Sequence, residues 1–352
     1  MSKFFSDKYS SLAPYVPGEQ PKERVYIKLN TNESPFPPSP KAVEYAGEEV
    51  EKCYLYSDPE SKELTDKVAE YHKVKPECVL MTNGSDEILN FAFMAFCDCN
   101  TPAVYPDISY GFYKVFAQIN NVEGREIPLC DDFSIKPEDY FDANGTIFIA
   151  NPNAPTGIAL SLLDVERIVK NNPNNVVVID EAYVDFGGET AIPLVEKYDN
   201  LLVTRTFSKS RSLAGARLGY GVACPSLIRD LINIKYSTNP YNVNRMTAKA
   251  GVGSIEDDEY FKDNIDTIIN NREYAIRELK RLGFTSTQSK TNFIFVKSDK
   301  IGGEELYLRL KEKGILVRHF SKEKIKDYNR ITVGSMAEMQ ALITAVEDIL
   351  EV

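Results

Sequence analysis

Tryptophan is absent from this sequence and histidine nearly so, with only His72 and His319 among 352 residues. The six cysteines (Cys53, Cys78, Cys97, Cys99, Cys130 and Cys224) are scattered without metal-ligand pairing. No metal site is expected, and the thiols read as free and buried. Long apolar runs are missing too. No stretch of eighteen apolar residues occurs, and the N-terminus MSKFFSDKYSSLAPYVPGE lacks the continuous apolar core of a signal peptide. A cytoplasmic protein that neither spans nor binds a membrane is the expectation. Basic charge is short: 41 Lys and Arg stand against 52 Asp and Glu, a formal net charge of -11. An acidic average excludes a broad face for nucleic-acid backbones, so any recognition of phosphate must be local. No internal repeat is present.

What remains is ordinary globular composition, 43% hydrophobic and 26% charged, at a length that suits one large domain plus a smaller one. Apolar β-branched runs bounded by turn residues recur as CVLMTNG (78–84), PAVYPD (102–107), TIFIAN (146–151), VVVIDEAY (176–183), LLVTRTFS (201–208) and GYGVAC (219–224). Helical patterns such as SDEILNFAFMAF and LLDVERIVK lie between several of them. That alternation predicts an α/β fold, a mostly parallel sheet buried on both faces, with ligands at the carboxyl ends of its strands. From about residue 254 the pattern changes to a long charged helix, then FIFVKS, EELYLRLKEKG, ILVRHF, RITVGS and a terminal helix, which reads as a smaller α+β domain. The expected organisation is an N-terminal arm over 1–40 associated with the small domain, a large domain over 41–253 and the small domain over 254–352.

Several strand ends carry polar residues of the kinds a pyridoxal 5′-phosphate (PLP) site needs. In VVVIDEAY, Asp180 follows four apolar residues and emerges from a buried strand, where a carboxylate needs a cationic or hydrogen-bonding partner. A pyridinium nitrogen is such a partner, and keeping it protonated makes the ring an electron sink. A helix cap or a structural ion pair fits the same octapeptide equally well. In TRTFSKSRSLAGARLGYG, Lys209 ends the next apolar run, with Thr206, Ser208 and Arg217 around it. A lysine amine can bond covalently to the cofactor, two hydroxyls and a guanidinium can hold its phosphate, and a solvated basic loop is the plainer alternative. In MTNGSDEIL a strand ends at Asn83-Gly84 and a helix begins at Ser85-Asp86, whose exposed N–H groups can bind the same anion, although any helix start looks like this.

NGSDE, the Asp-Glu-Ala-Tyr of VVVIDEAY and SKSRSLAGARLGY occur in the order found in fold-type I PLP enzymes, which the chain resembles from the arm to RITVGS. Within that group LNTNESPFPPSP, YSDPES, SYGFY, NPNAPTG, GILVRHF and RITVGS are similar to the histidinol-phosphate aminotransferases. The resemblance implies a mostly parallel, seven-stranded-type sheet between helices. It implies transamination between L-histidinol phosphate and 2-oxoglutarate in histidine biosynthesis, by a homodimer. It makes Lys209 the lysine that carries the cofactor and moves the proton, Asp180 the partner of the ring nitrogen, Tyr183 a donor to the ring O3′ and Tyr110 the residue stacked on the ring. Gly84, Ser85, Asp86, Thr206, Ser208 and Arg217 would form the phosphate cup, with Tyr56 reaching in from the other subunit. Arg330 would take a substrate carboxylate, while Arg318, Tyr15 and Asn32 would complete the substrate pocket. One position departs from the family: the Asn expected immediately before Pro-Thr-Gly is Ala154, and Asn153 stands one earlier. A shifted loop that brings Asn153 to O3′, or Tyr183 acting alone, would answer this.

Three other readings compete. Threonine-phosphate decarboxylases share the arm and the phosphate cup, and no motif here sets which Cα bond breaks. A broad or aromatic amino-acid aminotransferase is a second. The third, a regulator that uses such a domain as a sensor, needs an attached DNA-binding module, whereas the sequence starts at the arm with an acidic net charge.

Overall fold

Residues 2–10 and 12–352 are described in a computed structural model. The strands are β1 (Ile27–Lys28), β2 (Val79–Thr82), β3 (Ala103–Pro106), β4 (Gly124–Ile127), β5 (Thr146–Ala150), β6 (Val177–Asp180), β7 (Leu201–Thr206) and β8 (Gly219–Ala223), then β9 (Phe284–Ser286), β10 (Phe293–Ser298), β11 (Ile315–Leu316), β12 (Arg318–His319) and β13 (Asn329–Thr332). Seven of them form one sheet in the order β2-β8-β7-β6-β5-β3-β4. Strand β8 runs antiparallel to both neighbours, and the other pairs are parallel. The α/β reading is borne out: each of the six apolar runs is a strand of this sheet.

The runs are continuously apolar because the sheet is covered on both faces. Ile147, Ile149, Val177, Ile179, Leu201 and Val203 pack into one core. Their alternating neighbours Phe148, Ala150, Val178 and Leu202 pack into another, against the helices Ser85–Phe96 and Phe112–Asn120. Each fully buried Val or Ile of such a strand contributes about 1.5–3 kcal/mol over its exposed state. The period of two also decides where polar residues go. Asp180, Thr204 and Thr206 share the face of Val178 and Leu202, whereas Glu181 and Arg205 turn to the opposite face. Strand β4 had no apolar signature, since it lies at the sheet edge with Gly124, Arg125 and Glu126 exposed.

A four-stranded antiparallel sheet, β12-β13-β10-β9, packs with the helices Asp258–Arg281, Gly303–Glu312 and Met336–Leu350 around a separate apolar core. The N-terminal segment touches both units. Strand β1 pairs with β11 and Leu29 enters the second core, while Tyr15 stacks on Phe112 at 4.4 Å on the large-sheet side. All six cysteines are free, but none is buried as expected. Cys53, Cys97 and Cys224 flank helices rather than occupying their apolar faces. No helix among the described residues is long and apolar enough to cross a membrane.

Candidate active site

The carboxyl ends of β2, β5, β6 and β7 and the start of β8 meet along one edge of the large sheet. There β2 turns through Gly84 into the helix Ser85–Phe96, whose first-turn N–H groups have no partner within the helix. Two glycines permit the approach. Gly84 has φ of +78° and a Cβ on it would meet Arg217 Nη2 at 2.7 Å, while a Cβ on Gly219 would lie 2.5 Å from the backbone of Gly84 and Ser85. Arg217 Nη2 is thereby held 2.9 Å from Asp86 Oδ2, and Tyr110 Oη donates to Asp86 Oδ1 at 2.6 Å. Ser85, Asp86, Thr206, Ser208 and Arg217 face a cavity of about 100 Å³ that also reaches Asp180, Tyr183 and Lys209. Buried Ser208 Oγ has no hydrogen-bond partner among the described residues. An unsatisfied buried hydroxyl beside a helix start and a guanidinium fits a phosphate group.

Asp180 closes the other end of this cavity. It is 4% exposed, and Tyr113 Oη and Thr204 Oγ1 each donate to it at 3.2 Å. Burial, and next the charge of Asp86, push its carboxyl up to about 6 although the two hydroxyls pull the other way. Among the described residues no cation pairs with it, and a positive group brought by a ligand would fit there. A protonated ring nitrogen is such a group. Lys209 lines this cavity and the larger one beside it, with Nζ 3.4 Å from the Thr31 carbonyl oxygen. Tyr183 Oη accepts from Asn32 Nδ2 at 2.9 Å, which leaves the phenolic hydrogen free to donate. Asn32 is itself fixed in the left-handed region at φ of 56°, and its Oδ1 accepts from Thr332 Oγ1.

The larger cavity, about 440 Å³, is lined by Tyr15, Asn32, Tyr110, Lys209, Arg318 and Arg330 among others. Strands β12 and β13 pair Arg318 directly with Arg330. Among the described residues Arg318 donates only to the carbonyls of Val16 and Pro17, at 3.2 and 3.3 Å, and Arg330 Nη2 to that of Asn30 at 3.1 Å. Arg330 Nε is buried without a partner among the described residues, and burial above all, with the Arg318 charge adding to it, pulls this guanidinium below its usual range. Like charges set directly opposite are destabilising unless an anion joins them.

Two expected residues stand elsewhere. Asn153 does not turn toward either cavity: its Nδ2 donates to Ile108 O and Thr156 Oγ1, both at 3.0 Å, and its Oδ1 accepts from Ser109 at 2.8 Å. All its capacity goes into bracing the loop, so Ala154 is the residue that faces both cavities. Tyr56 is 80% exposed, stacks on Tyr241 at 4.6 Å and lines neither cavity of its own chain. Sequence reasoning missed Thr204, Thr31 and Tyr113. The position of Tyr113 three residues after Tyr110 on a helix start was the one available signal.

The profile of the aminotransferase class I and II family matches residues 24–346. The chain is 48% identical over 353 aligned positions, 100% of both chains, to a histidinol-phosphate aminotransferase of Brachyspira hyodysenteriae. It is 49% identical to one of Acinetobacter baylyi, covering 98% of this chain and 97% of that one. Among solved structures it is similar to the histidinol-phosphate aminotransferase of Sinorhizobium meliloti in complex with pyridoxal-5′-phosphate, with a TM-score of 0.90 at 23% identity over 100% of this chain and 98% of that one.

Proposed function

The chain belongs to the class I and II aminotransferases, and from that premise we propose that it transfers the amino group of L-histidinol phosphate to 2-oxoglutarate, giving imidazole-acetol phosphate and L-glutamate in histidine biosynthesis. Pyridoxal 5′-phosphate is the cofactor. When bound, it supplies the electron sink that lets an amino acid lose its α-proton. Asp180 holds the ring nitrogen protonated. Tyr183 would donate to the ring oxygen, and Tyr110, which lines the same cavity, would hold the ring. The N-terminus of the helix Ser85–Phe96 holds the phosphate with Thr206, Ser208 and Arg217, while Asp86 orients Arg217. Lys209 carries the cofactor between turnovers and moves the proton to and from Cα.

The observation that carries the substrate reading is the pair Arg318 and Arg330, set side by side by the strand register, free of carboxylates among the described residues and facing the cavity that contains Lys209. Both proposed amino donors bring anions: glutamate an α-carboxylate and a distal carboxylate, histidinol phosphate a distal phosphate alone. Arg330, nearer the buried end, serves the α-carboxylate as a planar fork, and Arg318 with Tyr15 faces the distal anion. The decarboxylase reading also provides a phosphate for these arginines. The names of the full-length relatives support transamination instead. Incubating the enzyme with histidinol phosphate and 2-oxoglutarate, and separately with threonine phosphate, tests this. Glutamate formation in the first is expected, and carbon dioxide release from the second without amino transfer would overturn it.

The active unit we propose is a homodimer in which Tyr56 of each copy completes the phosphate cup of the other. Its support is the exposure of Tyr56 on its own chain, stacked on exposed Tyr241 and preceded in sequence by exposed Tyr54 and Leu55.

A further inference from the structure

Beneath the cofactor site, on the opposite face of the large sheet, lies a charged layer that the reaction does not use. Arg205, 6% exposed, reaches Glu181 Oε2 at 3.1 Å through Nη1 and Asp185 through Nη2. Glu181, 1% exposed, also accepts from Thr190 Oγ1 at 2.7 Å and from the Ala191 backbone N–H. Ser210, buried as well, donates from Oγ to Asp185 Oδ2. Burial raises the Glu181 carboxyl, while at Asp185 the same effect is outweighed by Arg205, Ser210 and Arg211. The other titratable groups facing the layer are Tyr220 and His72, hydrogen-bonded to each other at 2.7 Å. Burial, with Arg205 adding to it, pushes the His72 imidazole down to about 3, so it stays neutral at working pH.

Every member of this layer lies within two positions of a residue of the site. Glu181 follows Asp180, Arg205 precedes Thr206, Ser210 follows Lys209, and Asp185 sits two residues after Tyr183. At Glu181 and Arg205 the two-residue period of the strands produces this, turning one residue up to the cavity and its neighbour down, while Asp185 and Ser210 sit in the turns that follow β6 and β7. A buried ion network of this kind is costly to assemble, and its removal in favour of apolar side chains is often neutral or stabilising. Stability alone therefore explains it poorly.

We propose that Glu181, Arg205, Asp185 and Ser210 are positioning residues, and that the Ser210–Asp185 hydrogen bond ties the turn bearing Lys209 to the turn bearing Tyr183, so that the tyrosine hydroxyl stays in register with the lysine-bound cofactor. This rests on the roles given above to Lys209 and Tyr183. A donor to the ring oxygen favours the unprotonated lysine–cofactor linkage, so loosening the tie raises the pH at which the bound cofactor changes colour.

The test is a spectrophotometric pH titration of the holoenzyme. Ser210→Ala, which removes one hydroxyl and leaves every charge in place, raises the midpoint by roughly half a unit or more. Tyr183→Phe raises it by itself, and adding Ser210→Ala to that background moves it no further, because the two act through one contact. Thr190→Ala cuts a hydrogen bond to the same layer on the side away from Lys209, and lowers the melting temperature without moving the midpoint. An unmoved midpoint in Ser210→Ala, or shifts of Ser210→Ala and Tyr183→Phe that simply add, overturns the positioning role. A wild-type holoenzyme with no titrating visible band would instead remove the assignment of Lys209 and Tyr183 on which the inference stands.

Discussion

Replacing Asp180 by asparagine should make the cofactor-free protein more stable while making the enzyme worse. Burial, and next the charge of Asp86, raise the carboxyl of Asp180 from an ordinary 3.8 to about 6, against the pull of the two hydroxyls that donate to it. A carboxyl whose folded-state value lies above its unfolded one adds stability that is complete below the unfolded value and is lost as pH rises through the folded one. At neutral pH the apoprotein therefore holds a charge it disfavours. The difference corresponds to at most about 3 kcal/mol, and water entering the adjoining cavity of about 100 Å³ reduces it, so we expect about 1–3 kcal/mol. Asparagine remains neutral and can still pair with the hydroxyls of Tyr113 and Thr204. Apo Asp180→Asn should accordingly melt a few degrees above the apo wild type at pH 8. The gap should shrink as pH falls through 6 and close near 4. With the cofactor bound the order reverses, since the ring cation that the carboxylate serves has lost its partner, and turnover falls sharply. Calorimetry of apo and holo forms across this range checks both halves. An apo Asp180→Asn no more stable than wild type at pH 8, or a gap that does not depend on pH, would refute the reasoning.

Arg330→Lys keeps the charge but loses the fork, a loss of about 1.5–3 kcal/mol or roughly 10- to 150-fold; single-turnover spectra should show the glutamate half-reaction damaged more than the histidinol-phosphate one, and equal losses would end the division of labour with Arg318. Mixing Tyr56→Phe subunits with Lys209→Ala subunits should give mixed dimers with one site carrying both lesions and one carrying neither, so activity returns on mixing; none returning would contradict Tyr56 acting across the interface. Ala154→Asn places a donor where both cavities are lined and should lower the pH midpoint of the bound cofactor, whereas Asn153→Ala should cost loop stability and leave the midpoint alone. A midpoint moved by Asn153→Ala would mean that its side chain leaves the positions seen here.

The large sheet was legible in the sequence because burial on both faces writes a continuous apolar run, and six strands followed from that alone. Strand β4 was not, since an exposed edge strand has no reason to be apolar. Strand-end residues such as Asp180 and Lys209 stood out because a polar residue closing an apolar run needs a chemical reason. Features that depend on register or pairing did not stand out. Arg318 and Arg330 ended or opened separate runs, and only the pairing of β12 with β13 puts them side by side. Arg205 sat inside LLVTRTFS as one cation in a strand, and its partners Glu181 and Asp185 come from the turn beyond β6. Asn153 was left open for a related reason: the sequence marks an amide near Pro-Thr-Gly, but backbone direction decides that it braces the loop while Ala154 faces the cavity.

The assignment of Lys209 as the residue that carries the cofactor is the claim on which all the rest depends. Reducing the holoenzyme with borohydride fixes the cofactor to whichever amine holds it, and peptide mapping then reads the position. A single labelled peptide bearing the cofactor on Lys209 is expected, with none in Lys209→Ala. Label on any other lysine, or the same labelling in Lys209→Ala, would contradict it.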